Sequence, residues 1–376
     1  MTSYIESVPN RELTVGTDRR QNWNRPENRR HGFHNAHLIF RRSLAIRAGR
    51  TSVLADAPDA KLASRVAESG LTNRPTFSAL AIVEEGRLLY GKAAPDFALE
   101  RPHSIQSITK MHMHLIAGAL IEEGVLDPEQ TAGHYLPWLG SGYHGARVRD
   151  LLDMNVANDF SEDYSDPGAD CYREEEALGW RLPPDERPEM TLAVFACGIT
   201  GTDLKNRKGY VEYKSANTDA LTLIAAGLTD LPARLAAITD AAGYAGGFHV
   251  SLSPEGLPAL SGGGCLSVLD LARFGLLFAR GTLGIDGRPV GSGAFLQAAL
   301  ASQGPPLSRS RPWQRYAGHL MTDGRTLGHA RYGGQYLMVN PATGRVAAFL
   351  SVLDNDSGYD ETYMARIVEA LSAFVG

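Results

Sequence analysis

Residues 107–124 are SITKMHMHLIAGALIEEG, and the first four of them, Ser107-Ile108-Thr109-Lys110, decide how we interpret the rest of the chain. Residues three apart lie on the same face of a helix, so Lys110 would stand beside Ser107. A serine hydroxyl becomes a nucleophile when a base takes its proton, and a lysine shielded from water can be that base. The chain holds six lysines against 31 arginines, and no other lysine follows a serine by three residues.

The same stretch predicts a helix from Ser107 to Gly124, with Gly124 as its C-terminal stop. The apolar residues from Leu115 to Leu120 form the stripe that such a helix buries. Ser107 would then lie at the helix N-terminus, where free N–H groups favour negative charge. That is a suitable place for a nucleophile that attacks a carbonyl.

Strand patterns occur near both ends of the chain. Residues 78–91 and 335–352 each predict a hairpin, whereas the patterns between residues 107 and 280 are mainly helical. We therefore expect an α+β fold, in which both chain ends form an antiparallel sheet around a helical insertion. The expected parts are an Arg-rich N-terminal arm (1–50), a discontinuous sheet domain (51–108 and 255–376) and a mainly helical domain (109–254), with the active site at the interface of the last two.

The composition is that of an ordinary globular protein, with 43% hydrophobic and 21% charged residues. A net charge of −5 argues against nucleic-acid binding. The first 50 residues carry ten arginines and four acids, about +6, which we interpret as a solvated arm. The arm is expected to be irregular, with His31, His34 and His37 at the surface and not in a metal site.

No signal-peptide pattern or membrane-spanning run is found, and the three cysteines are too few and too far apart for a disulfide framework. We expect a cytoplasmic protein without metal or cofactor, whose partners are small molecules and not membranes, with a homodimer as the assembly to test. Residues 159–176 hold eight acids and one arginine. This acidic loop is either simply solvated or a rim that attracts a cationic substrate.

A second candidate segment is YKSANTD, residues 213–219. In an extended segment, Tyr213, Ser215 and Asn217 would project the same way because alternate residues share a face. A phenol beside a lysine ammonium has a lowered pKa, which suits a group that carries protons.

These two segments, in this order and about a hundred residues apart, resemble the serine β-lactamase and penicillin-binding-protein superfamily. The likeness is greatest to the class C-like branch that contains 6-aminohexanoate-dimer (nylon oligomer) hydrolases and related esterases. Further motifs that resemble this branch are spread over residues 75–372: LLDM from Leu151, EDYSDP from Glu162, GWR from Gly179, Gly262-Gly263, DLAR from Asp270, and Gly334 with Gln335, Leu337 and Pro341.

The resemblance implies the following roles. Ser107 attacks the carbonyl, Lys110 takes its proton, and Tyr213 with Lys110 returns that proton to the leaving group. Ser215 supports this network, and the backbone N–H groups of Ser107 and Tyr332 form an oxyanion hole.

The resemblance also implies substrate contacts. Tyr164 matches a loop tyrosine that closes over substrate, Glu175 lies where an acid can meet an amino group, and Asn217 is expected to face the substrate. The third motif of the superfamily departs from its Lys-Thr-Gly or His-Thr-Gly pattern, since this chain has His329-Ala330-Arg331. Arg331 would crowd a β-lactam or bind a carboxylate, with His329 beside it, which weakens a β-lactamase interpretation.

Two classes of function follow. The first is a serine acyl-enzyme catalyst for a small amide or ester, which is an amidase or esterase if water accepts the acyl group and a transacylase if an amine does. The second is a catalytically inactive binding protein, against which the retention of Ser107, Lys110, Tyr213 and Ser215 argues.

Overall fold

The computed structural model describes residues 22–183, 187–302, 304–330 and 332–376. Its strands are β1 (Ser43–Ile46), β2 (Ala55–Asp56), β3 (Phe77–Glu84), β4 (Arg87–Ala93), β5 (His103–Ser104), β6 (Phe248–Ser251), β7 (Gly264–Leu266), β8 (Arg315–Ala317), β9 (Leu320–Thr322), β10 (Leu327–Ala330), β11 (Tyr336–Asn340) and β12 (Arg345–Ser351).

The helices, in chain order, are α1 (Pro26–Ile39), α2 (Ala60–Ser69), α3 (Lys110–Glu122), α4 (Ala132–Tyr135), α5 (Ser141–His144), α6 (Val148–Leu152), α7 (Asp170–Ala177), α8 (Leu192–Cys197), α9 (Ser215–Leu228), α10 (Leu231–Ala242), α11 (Val268–Ala279), α12 (Gly293–Leu300) and α13 (Glu361–Val375).

The main sheet has eight strands in the order β2-β4-β3-β12-β11-β10-β9-β8. Strand β3 from the first part of the chain pairs antiparallel with β12 from the last part, with Ile82 opposite Ala347. Both strands are apolar and almost fully buried, because helices cover both faces. The first and last parts of the chain therefore form one sheet, which is antiparallel except for the short parallel pair β2–β4, and the α+β prediction is confirmed.

The sheet is packed between two helical layers. A Cβ at Gly275 of α11 would strike Leu337 of β11, whereas Ser372 of α13 contacts Met338, the next residue along that strand. Successive side chains of a strand point to opposite faces, so α11 and α13 cover opposite sides of the sheet. A smaller sheet, in the order β1-β6-β7-β5, lies between this body and the N-terminal segment.

The Ser107 segment differs from its predicted form. Ser107 lies in a 3₁₀ turn, Gln106–Thr109, and the regular helix α3 begins only at Lys110. The Thr109 hydroxyl donates to the Gln106 carbonyl at 2.6 Å and accepts from the Gly264 backbone N–H at 3.0 Å. These bonds tighten the turn and fasten it to β7, so that Ser107 is held just before the helix.

The N-terminal arm is not irregular where the structure describes it, although residues 1–21 lie outside the described residues. Residues 26–39 form α1, whose Phe33 ring lies 6.1 Å from the Tyr332 ring. Arg29, 1% exposed, donates to the carbonyls of Leu353 and Asn355. The prediction of a surface histidine is wrong for His34, which is buried and bonded to the Ser78 hydroxyl at 3.0 Å.

All three cysteines are free, two of them buried. Among the described residues no single helix is both long and apolar enough to cross a membrane, and only the pair α9 and α10, bent by 101°, meets the length and composition together. The proposed domain boundaries at residues 108 and 255 stay a prediction.

Candidate active site

The Lys110 side chain is the centre of a buried polar cluster. It has no exposed surface, and its Nζ donates to Ser107 Oγ at 3.3 Å, to Ser215 Oγ at 3.0 Å and to the Ser261 carbonyl. An ammonium carries three protons, and each has an acceptor here. The structure therefore brings the two predicted motifs together, as the sequence predicts.

Tyr213 forms one wall of this cluster. Its ring centroid lies 5.1 Å from Lys110 Nζ, and its ring packs edge-on against Tyr316 at 5.8 Å. An ammonium near an aromatic ring is attracted to the ring's electrons, so this contact stabilises the charged lysine.

The segment that holds Tyr213 and Ser215 is not extended throughout, which corrects the expected alternation. Lys214 is extended, with φ −144° and ψ 121°, but Ser215 is the first residue of α9 and Asn217 lies in its first turn. Asn217 is fully buried, accepts from the Tyr143 hydroxyl at 2.8 Å and donates to Met154 S. Its side chain is used to join α9 to α5 and does not line the pocket of Ser107, in contrast to the predicted substrate contact.

Glu162 is a member of the cluster for which we predicted no role. Its carboxylate accepts from the Ser215 backbone N–H at 2.6 Å and from Ser215 Oγ at 3.0 Å. Carboxylates favour free N–H groups at a helix N-terminus, and Ser215 begins α9. Because Glu162 precedes Ser215 by 53 residues, only its place in the EDYSDP motif could have indicated it.

A buried acid pair lies behind the cluster. Glu174 on α7 and Asp219 on α9 are 3% and 1% exposed. Burial and then the neighbouring Asp219 raise the pKa of Glu174 well above its ordinary value. Two carboxylates in one buried site cannot both be charged at low cost, so Glu174 is the neutral partner and can donate to Asp219.

Ser107 opens into a pocket of about 360 Å³, part of it open to solvent. Tyr164 and Tyr332 close one side, with ring centroids 4.8 Å apart. The pocket is lined by Gln106, Ser107, Glu162, Tyr164, Glu174, Glu175, Leu178, Trp180, Ser215, Ser261, Gly262 and Tyr332. Of the predicted site residues, Ser107, Ser215, Tyr164, Glu175 and Tyr332 therefore share this pocket.

Two predicted substrate contacts already have hydrogen-bond partners within the protein. Glu175 is 3% exposed and accepts from Arg181 at 3.1 Å and 3.2 Å, so its carboxylate is paired within the protein. His329 is fully buried and bonded to the Tyr316 hydroxyl at 2.9 Å, behind Tyr213 and not in the pocket. Arg331 lies outside the described residues.

A larger cavity, of about 930 Å³, lies on the other side of Tyr213. Part of it is open to solvent, and its walls combine apolar side chains with the ion pairs Lys208–Glu212 and Arg311–Glu361. Within the described ranges, no group of three or more His, Cys, Asp or Glu side chains is arranged to hold a metal ion.

Comparisons with known proteins find similarity in sequence and in fold. No family model matches the chain. A 6-aminohexanoate-dimer hydrolase of Paenarthrobacter ureafaciens is 33% identical over 218 residues, which cover 54% of this chain and 52% of that protein. The match therefore spans about half the length of this relative.

Two solved structures show the fold. A Bacillus anthracis protein, described as a candidate 6-aminohexanoate-dimer hydrolase, superposes with a TM-score of 0.79 and 16% identity over 94% of both chains. A candidate β-lactamase from Bacteroides dorei DSM 17855 superposes with a TM-score of 0.62 and 16% identity over 85% of this chain and 99% of that one. The sequence match and the superpositions lead to one conclusion: over about half of its length the chain is similar to a 6-aminohexanoate-dimer hydrolase, and its fold is the one that these β-lactamase-like structures share.

Proposed function

We propose that this chain is a serine acyl-enzyme hydrolase that cleaves a small amide or ester. The observation that carries the proposal is the position of Lys110 Nζ, fully buried and within 3.3 Å of Ser107 Oγ. A buried amine at hydrogen-bond distance from a hydroxyl is the pair that a lysine-activated serine nucleophile needs.

Ser107 Oγ attacks the substrate carbonyl as its proton passes to Lys110 Nζ. The carbonyl oxygen becomes negative, and we assign its stabilisation to the backbone N–H groups of Ser107 and Tyr332, two residues that line the pocket. Tyr213, whose ring is 5.1 Å from Nζ, then returns the proton with Lys110 to the leaving group. Water attacks the acyl-serine by the reverse sequence of proton transfers.

The pocket supports a small acyl group with a polar or cationic end. Glu162 and Tyr164 line it together with the Trp180 ring, so the walls offer both acceptors and aromatic surface. The relative from P. ureafaciens is named a 6-aminohexanoate-dimer hydrolase. This dimer is therefore the first amide to test.

The cavity beyond Tyr213 supports a site for the leaving group, because Tyr213 would deliver the proton there. Its apolar lining includes Leu307, Met321 and Met364. An amine bound in the same cavity could accept the acyl group in place of water, which would make the protein a transacylase.

The test is turnover of short p-nitrophenyl esters and of 6-aminohexanoate dimer by the wild-type chain and by Ser107→Ala. We expect wild-type turnover of at least one of these substrates and loss of about 10³-fold or more in the variant, with an unchanged circular dichroism spectrum. A wild-type chain inert toward all of them, or a variant of equal activity, would contradict the proposal. Amide product formed when a simple amine is added would identify the transacylase.

A further inference from the structure

Lys110 must be in its neutral form to act as a base. A lysine can accept a proton from Ser107 only if its amine is neutral, since an ammonium has no lone pair. In the structure Nζ has three acceptors, namely Ser107 Oγ, Ser215 Oγ and the Ser261 carbonyl. An ammonium can donate to all three, whereas a neutral amine donates to two of them and accepts the proton of the Ser107 hydroxyl, so one proton separates the ammonium from the base that the reaction needs.

Only one of the three contacts offers that proton a route away from the nucleophile. The Ser261 carbonyl can accept a hydrogen bond but has no proton to pass on. Ser107 is the group to be activated. Ser215 Oγ accepts from Nζ at 3.0 Å and donates its own proton to Glu162 Oε1 at 3.0 Å. Lys110, Ser215 and Glu162 therefore form a continuous proton path of two hydrogen bonds.

We propose that the Glu162 carboxylate takes a proton from Lys110 through the Ser215 hydroxyl, so that Lys110 becomes neutral and can act as base. We call Glu162 the proton store of this site. This inference rests on the function proposed above and adds a residue to it. In the step, an N–H bond of Lys110 breaks as an O–H bond forms on Ser215. The original Ser215 O–H bond breaks as an O–H bond forms on Glu162, so the proton count of the site is unchanged.

The neighbours of Glu162 fix its position and define the charges around it. The Ser215 backbone N–H donates to Oε2 and holds the carboxylate against the hydroxyl. The titratable groups around it on the neighbouring elements are Lys110, Tyr143, Tyr164, Cys171, Glu174, Lys214 and Asp219. Burial raises the pKa values of Tyr143, Tyr164 and Cys171, which keeps these three groups uncharged.

The path predicts a distinctive pH profile. With Glu162 present, the active and resting states hold the same number of protons, so kcat/KM falls only when the carboxylate is protonated from solvent. With Glu162→Gln, the ammonium must lose its proton to water, and carboxyl and ammonium reference pKa values differ by about six units. The acid limb of the profile should then move up by at least about 2 pH units.

The experiment measures kcat/KM for p-nitrophenyl butyrate between about pH 5 and pH 9.5, a range that lies between the reference pKa values of a carboxyl group and of an ammonium group. For Glu162→Gln we expect a loss of about 10²-fold or more at the acid end, recovered progressively toward the alkaline end. Ser215→Ala should shift the limb in the same direction because it removes the bridging hydroxyl. Glu162→Asp keeps a carboxylate, so kcat/KM should fall at the same acid pH as in the wild type.

The control is Asp163→Asn, which changes the next, exposed carboxylate and should leave the profile unchanged. A loss in Glu162→Gln that is equal at every pH would show a structural role and overturn the proton store, as would an unchanged profile. If instead Ser107→Ala retains activity, the proposed function itself fails. A wild-type chain that needs Ser107 while Glu162→Gln keeps the wild-type limb rejects the proton store alone.

Discussion

The first two turns of α3 contain two kinds of buried polar residue. Lys110 meets two hydroxyls and a carbonyl. His112, two residues later, lies between the rings of Phe248 and Phe274, at centroid distances of 4.4 Å and 4.2 Å and nearly parallel to both. His114 stacks on Phe295 at 4.8 Å and contacts the Gly318 carbonyl at 2.6 Å.

The difference shows how a buried polar group reveals its use. Hydroxyls can both accept and donate, so the neighbours of Lys110 can carry a proton away from it. Aromatic rings offer packing but no proton path. In the proposed function Lys110 is therefore the group that takes part in the reaction, whereas His112 and His114 pack against aromatic rings.

The largest expected effect separates these roles directly. Lys110→Met keeps an unbranched side chain of similar length and removes the amine, so we expect activity to fall by about 10³-fold or more. The melting temperature should change little or rise, since a buried charge is replaced by an apolar group. Retained activity in this variant would show that another base serves.

Acid should destabilise the protein through its buried histidines. Burial lowers the pKa of His112 and of His114 to about 4, and that of His319 to about 3. Because the folded pKa is depressed, the stability is present above the unfolded value, near 6.5, and is lost as the pH falls through the folded pKa. Between about pH 6.5 and its folded pKa, each histidine should lower the free energy of unfolding by roughly 1 kcal/mol per pH unit.

Urea unfolding at a series of pH values between about 7 and 4.5, the range below the reference histidine pKa, measures this loss. We expect the midpoint to fall steeply, and to fall less steeply in His112→Phe, which keeps an aromatic ring and cannot be protonated. A midpoint that does not change over this range would contradict the assignment of these histidines as neutral packing groups.

His112→Ala should give a smaller effect, on stability and not on chemistry. Loss of a ring stacked on two others leaves a cavity, and we expect a cost of about 2–4 kcal/mol in the free energy of unfolding. The kcat of the folded variant should stay within a few-fold of the wild type. A selective loss of kcat without loss of stability would mean that His112 takes part in the reaction.

Glu174→Gln is expected to have the smallest effect. The folded pKa of Glu174 is raised by burial, so the stability from its neutral form is present at low pH and lost as the pH rises through that pKa. Glutamine is neutral at every pH. The difference in melting temperature between variant and wild type should therefore grow from acid to alkaline pH, and a constant difference would contradict a neutral Glu174.

Local sequence signals predicted much of the fold. Asp59 caps α2 by accepting from the Lys61 and Leu62 N–H groups, and Gly70 ends the helix with φ +67°. The two hairpins lie close to the predicted positions. These features depend on neighbouring residues, which is why periodicity and capping residues reveal them.

The features that were not predicted from the sequence depend on contacts between residues far apart in the chain. Residues 26–39 are polar, and their helix is held by Arg29 bonded to carbonyls more than 300 residues away. Asn217 and His329 were expected to face the substrate, but their partners, Tyr143 and Tyr316, lie on other elements. No spacing rule links Glu162 to Ser215, and only the folded chain places them together.

The central claim is that Ser107 carries the acyl group, and intact-protein mass spectrometry tests it most directly. After brief mixing with a short p-nitrophenyl ester, the wild-type chain should gain the mass of one acyl group. Peptide mapping should place that group on Ser107, and the gain should be absent in Ser107→Ala. An adduct that persists in Ser107→Ala, or ester turnover by the wild type through another mapped residue, would contradict the account.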